Sequence, residues 1–153
     1  MLDWVKNIFS EKEVKEINDL TPGDAAKAQA HGLDFSSAIE AHLRWKMRLA
    51  DYIAGKSEEN LDPETIGQDD KCILGQWIYD VGGRNFGNEP GFNELVETHA
   101  RFHKCAAEVV RKVDADQRDE AKQMISQGDY ARASMLVIRQ LSSLWGRLGR
   151  ETA

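Results

Sequence analysis

The stretch FNELVETHARFHKCAAEVVRKV, residues 92–113, decides how this chain is read. Phe92, Leu95, Val96, His99, Phe102, His103, Ala106, Val110 and Val113 recur at spacings of three and four. That is one stripe of a long helix, broad enough to face a core. His99 and His103 interrupt it. At i and i+4 their rings lie one turn apart on the same face, able to chelate one ion. Burying two imidazoles without polar partners would cost on the order of a few kcal/mol, so this face needs partners or an ion.

Outward from that helix, the rest also reads as helix. Residues 2–18 predict a short amphipathic helix, with Leu2, Val5, Ile8 and Phe9 on one side and TPGD (21–24) as its break. A second helix starts near Ser36 or Ser37, where Ser37 and Glu40 fit an S-x-x-E capping box. Ile39, His42, Leu43, Leu49, Ala50 and Ile53 follow at helical spacing, and Gly55 is a natural stop. KSEENLDPETIGQ (56–68) reads as a connection. Asp69 or Asp70 caps a short helix from about Lys71 to Val81, ended by Gly82 and Gly83, and RNFGNEPGF (84–92) reads as loop. The long helix runs on or kinks near 114–119 and continues to Gly128. A last helix, Asp129 to about Arg147, carries Tyr130, Ala133, Leu136, Val137, Leu141, Leu144 and Trp145. The expected fold is all-α: an antiparallel four-helix-type bundle with a short inserted helix that carries Cys72. We divide it into an N-terminal helical extension (1–30), a candidate partner or dimer contact, and a bundle (31–153).

Composition narrows the function. The chain has 153 residues, 41% of them hydrophobic, which suffices for one domain with a real core. A formal net charge of −6 and no basic block argue against nucleic acid. Two cysteines without a CxxC pair point to thiols used singly in a reducing compartment. No apolar run approaches a membrane span, and the N-terminus lacks the pattern of a signal peptide, so a cytoplasmic protein is expected.

The candidate chemistry lies in a scattered set. His42 interrupts the apolar stripe of the second helix as His99 and His103 interrupt theirs. Cys72 falls in the first turn of the short helix, where unpaired N–H groups favour a thiolate. Each alone reads as a satisfied core histidine or a small buried thiol. Together, three imidazoles and one thiolate match tetrahedral zinc, although copper or cobalt would also suit such ligands. Four protein ligands leave no position for water, so the metal is expected to be structural or regulatory and the protein not an enzyme. Gly75, inside the short helix, implies a close backbone approach to a neighbouring helix. Trp45 and Trp77 are expected as apolar covers of the metal. Asp69, Asp70 and Glu97 are candidate acceptors for histidine N–H groups. His31 is expected to be exposed, and Cys105, about 200° around the helix from His103, to stand apart from the set.

EAHLRWK (40–46), KCILGQWI (71–78) and ETHARFHKCA (97–106) together resemble the chemoreceptor zinc-binding (CZB) domain family. The pattern is a histidine on one helix, a C-x-[LF]-G-x-W segment, and H-x-x-x-H on a later helix. Here the separations are 30, 27 and 4 residues. The resemblance covers about residues 36–110. It implies that His42, Cys72, His99 and His103 hold zinc. It further implies a bacterial cytoplasmic sensory domain, helical and often dimeric, that senses zinc or oxidants such as hypochlorous acid through the zinc-bound Cys72. The partners it implies are chemotaxis receptors or diguanylate cyclases, with this chain a standalone member. Three other classes compete: a zinc-stapled interaction module without sensing, a zinc hydrolase, which would need an open coordination site and a general base, and a di-iron oxygen-binding bundle, which would need more histidines or Glu-x-x-His pairs.

Overall fold

The computed structural model describes residues 4–20 and 29–151. Leu2 and the TPGD break lie outside the described residues. The N-terminal segment forms two helices where one was expected, α1 (Val5–Ile8) and α2 (Glu11–Leu20). Phe9 is extended between them. Ser10 and Glu13 then close a reciprocal cap: Glu13 N–H donates to Ser10 Oγ at 3.2 Å, and Ser10 N–H to Glu13 Oε1 at 3.1 Å.

A two-residue hairpin follows, β1 (Gln29–Ala30) and β2 (Leu33–Asp34), antiparallel. Its turn residues His31 and Gly32 both have positive φ, as a type I′ turn requires. The hairpin delivers Asp34 as the cap of α3 (Phe35–Ile53). The Asp34 carboxylate accepts from Ser37 N–H and Ser37 Oγ–H at 3.0 Å each. The expected Ser37–Glu40 box therefore does not form, and Glu40 pairs with Arg44 one turn on.

The connection after α3 is not bare. Asp62 caps a single turn, α4 (Pro63–Ile66), with proline at its first position. α5 (Ile73–Ile78) is followed by α6 (Val81–Phe86), which takes in the first three residues of what was read as loop. Gly82 and Gly83 belong to α6 rather than ending α5. The reason at Gly82 is packing: a Cβ there would sit 2.5 Å from the Trp77 ring. The long helices are α7 (Phe92–Asp114) and α9 (Asp129–Glu151), with α8 (Arg118–Ser126) between them after a turn at Asp116, whose φ is positive.

The fold is the all-α bundle the periodicity predicts. α3 and α7 run side by side in the same direction: His42 meets His99 at mid-helix, and Tyr52 O–H donates to Asp114 at the far ends, 2.6 Å. α9 runs the other way, with Phe102 against Tyr130 and Arg147 bonded to the Pro90 carbonyl. Parallel neighbours need a long return connection, and residues 54–91 supply it. The core between α3, α7 and α9 includes Ile39, Leu43, Leu49, Phe102, Val109, Tyr130, Val137 and Leu141, all shielded from solvent.

Val5, Phe9 and Ile17 are buried in the same cluster as the bundle residues. Lys46 of α3, only 6% exposed, lies under this segment, 4.5 Å from the centre of the Phe9 ring and 3.9 Å from Glu13. Arg139 of α9 forks onto Glu16, and Ser142 O–H donates to the Leu20 carbonyl. No described helix is long and apolar enough to cross a membrane. Phe9→Ala should lower the free energy of unfolding by about 3 kcal/mol, the cost of an emptied aromatic site. Denaturant titration measures it, and a change near zero would mean these residues do not share the core.

Candidate metal centre

Four side chains from three elements converge beside α5. His42 comes from the middle of α3, His99 and His103 from the middle of α7, and Cys72 from the residue that caps α5. The cap position corrects the expectation that Cys72 lies inside the first turn. Its backbone is extended, and its sulfur accepts from the Gly75 N–H at 3.3 Å, as a serine oxygen would at a helix start.

All three rings present Nε2 inward. His99 Nε2 is 3.1 Å from His42 Nε2 and 3.0 Å from His103 Nε2. Cys72 Sγ is 3.2 Å from His99 Nε2 and 3.6 Å from His103 Nε2, and all four donor atoms lie within 4.8 Å of one another. Zinc bonds of about 2.0 Å to nitrogen and 2.3 Å to sulfur give tetrahedral edges of about 3.3 and 3.5 Å. Four of the separations match those edges to within tenths of an ångström, and the widest, up to 4.8 Å, closes by about an ångström for the donors to share one zinc ion.

The opposite ring edges explain how the histidines are oriented. His42 Nδ1–H donates to the Ala38 carbonyl one turn back, 2.7 Å. His103 Nδ1–H donates to the Ile66 carbonyl, 2.9 Å, a group left free at the end of α4. These bonds leave both Nε2 atoms as lone-pair donors. His99 Nδ1 is buried without a protein partner. The acceptors are thus backbone carbonyls, which correct the expected roles of Asp69, Asp70 and Glu97. Asp70 and Glu97 are exposed, and Asp69 accepts from Tyr79 O–H at 2.5 Å. A carbonyl fixed in a helix is already placed, whereas a surface carboxylate would have to be desolvated to reach the ring.

Burial dominates the electrostatics. His42, His99 and His103 are 2%, 0% and 3% exposed. Desolvation lowers the pKa of His42 to about 4 and that of His99 to about 2, and it lowers His103 as well. All three rings are neutral at pH 7, the state in which imidazole binds metal. Burial also raises the Cys72 thiol, which the Gly75 and Leu74 N–H groups oppose, while Asp69 adds to the rise. Only a nearby cation makes this sulfur a thiolate at neutral pH.

The other singled-out residues fall at different distances from this cluster. Trp45 is half-buried and lines a cleft with Cys72 and His103. Trp77 packs among Phe35, Phe86 and Phe92, and its Nε1–H donates to the His31 carbonyl at 2.9 Å. It fastens the hairpin to the start of α7, a different role from the cover expected of it. His31 is not free: it is half-buried, 4.7 Å from the Phe86 ring, with Nε2 3.2 Å from the Leu148 carbonyl. Cys105 stands outside the four-residue cluster, as its angle on the helix predicts. Gly75 is the tightest point. A Cβ there would lie 1.7 Å from the Asp69 carbonyl oxygen, so the close approach is to the chain entering α5 rather than to a neighbouring helix. The Ile66 carbonyl and the cleft were not foreseen. The Asp62-Pro63 pair was the available signal for the former.

A helical bundle with a closed centre of three nitrogens and one sulfur is a zinc-binding domain. The model of one such family, the chemoreceptor zinc-binding domain, matches residues 42–110, a span that contains all four side chains. No curated protein and no solved structure matches the chain.

Two outcomes follow from this geometry. Gly75→Ala should push the Asp69–Asp70 backbone and Cys72 out of place and weaken zinc binding at least tenfold, read by competition with a chelator, while helix content by circular dichroism changes little. Second, the metal-free protein should lose stability as pH falls. Each buried histidine is protonated in the unfolded chain below about pH 6.5 but resists protonation when folded. Stability is therefore full above that pH and falls toward pH 4 by up to about 1.4 kcal/mol per unit for each histidine. Denaturant midpoints at stepped pH measure this, and a flat profile would contradict neutral burial.

Proposed function

We propose that His42, Cys72, His99 and His103 bind one zinc ion and that this makes the protein a regulatory domain, sensing zinc or oxidants through Cys72. The observation that supports it is the convergence of three Nε2 atoms and one sulfur in a buried space sized for the ion. Bound zinc supplies a positive charge that holds Cys72 as thiolate, ready for two-electron oxidation. The surrounding residues do the rest. Ala38 and Ile66 carbonyls hold two rings in the donor tautomer, and the apolar core keeps bulk water from His42 and His99. With four protein donors there is no position for a reacting water, so the site is regulatory rather than hydrolytic.

The switch we infer is the tie between Cys72 and the long helices. Hypochlorous acid converts the Cys72 sulfur to a sulfenic acid, with chloride released; that sulfur is a poorer donor. The cap of α5 then loses its anchor to α3 and α7, and residues 67–80 are freed to rearrange. Zinc level acts on the same contact by mass action, because binding at such a site is folding energy. The output passes to a partner, a chemotaxis or cyclic-di-GMP signalling protein, in the bacterial cytoplasm. A homodimer and a contact through residues 1–30 belong to the same reading.

Titration with zinc between pH 6 and 8 should release one proton per ion, from Cys72, so that the logarithm of the affinity rises by about one per pH unit. Cys72→Ser should abolish that slope and cost more than the roughly 10–100-fold typical of outer partners. Substoichiometric hypochlorous acid should release zinc with a mass gain at Cys72 and not at Cys105. Zinc retained with Cys72 unmodified would leave a zinc-stapled interaction module without sensing.

A further inference from the structure

A cleft of about 630 Å³ leads from the surface to the metal cluster. Of the four cluster residues, Cys72 and His103 line it. His42 and His99 do not line it, and both are buried, His42 against the Phe102 ring. The exposed part of its lining includes Glu59 of the connection after α3, and Arg48 of α3 meets it there. Arg48 forks onto the Glu59 carboxylate, Nη2 at 2.7 Å and Nε at 3.1 Å. Its guanidinium also lies 3.8 Å over the Trp45 ring, which forms part of the same wall. The side chains of Arg48 and Glu59 are 36% and 44% exposed, which places the pair at the surface.

We propose that this cleft is the route by which zinc and small thiol-directed reagents reach Cys72, and that the Arg48–Glu59 pair, seated on Trp45, is its gate. The proposal rests on the reading that the four residues bind zinc. Traffic has to pass Cys72 and His103, because the core seals the other two. The pair ties α3 to the connection after it through side chains alone, so it opens by rotamer changes without unfolding a helix. An exposed ion pair favours its closed geometry by a modest factor. Neither partner is among the four donors, so the gate sets rates and leaves the equilibrium affinity alone. The oxidant's access to the sulfur is thereby tuned by residues remote in sequence from the cysteine.

The test uses the full chain as wild type, Arg48→Met, Glu59→Gln and the double variant. Zinc release from the loaded protein is followed after mixing with excess 4-(2-pyridylazo)resorcinol. Metal-free protein is treated with iodoacetamide, whose carbon bonds to sulfur as iodide leaves and the thiol proton goes to buffer; Cys72 and Cys105 are scored by mass. Both single variants should release zinc and alkylate Cys72 about three- to fivefold faster, the double variant no faster than either. Alkylation of Cys105 and the equilibrium zinc affinity should not change. Wild-type rates in the variants overturn the gate. So does a fall in affinity large enough to account for the faster release, since that marks structural damage. Wild-type protein that fails to bind one zinc defeats the proposed function instead, and the alkylation rates still decide the gate.

Discussion

Three imidazole nitrogens facing one another at about hydrogen-bond distance, inside an apolar core, are the constraint on which the rest depends. With two rings fixed as Nε2 lone-pair donors by backbone carbonyls, the space between them is rich in electrons and poor in hydrogen. Protons could fill it, but burial holds the rings neutral. A divalent cation resolves the conflict by meeting every lone pair at once. The apolar residues around the site make the positive charge costly to leave unmatched, and the sulfur supplies the balancing negative charge.

The topology follows from bringing those donors together. His42 and the pair on α7 can face each other at mid-helix whether the two helices run parallel or antiparallel. Here they are parallel, so the chain must travel back before α7 begins. The return path is where Cys72 sits, and it is held by details with little slack: the Asp69 backbone pressed against Gly75, Trp77 over Gly82, and the Ile66 carbonyl on His103. An element that looks like a connection is therefore part of the centre's rigid frame.

The sequence was legible where the signal is periodic. The stripes of α3, α7 and α9 announce buried faces, and three histidines within such stripes stand out because imidazole does not belong there unaccompanied. It was less legible where a residue type serves two purposes. Gly82 and Gly83 read as stops, yet they exist to admit Trp77 and the Ile78 carbonyl. Ser10 with Glu13 carries the same capping signature that was assigned to Ser37 with Glu40, and only the former forms, because the hairpin puts Asp34 one step ahead of α3. The Asp62-Pro63 start of α4 was readable by the same rules. The carbonyl partners and the cleft were not readable at all: they depend on how four separate segments meet, which no local pattern encodes.

The placement of the donors along their helices has an electrostatic consequence. His42, His99 and His103 lie about two turns or more from the ends of α3 and α7, and the end charges of a helix macrodipole act within about one turn. The long helices, whatever their direction, thus contribute almost no field at the centre. At the sulfur, burial raises the pKa and the amide hydrogens of Gly75 and Leu74 oppose that rise. The local field on the cysteine therefore comes from a six-residue helix, and the two great helices serve it as insulation.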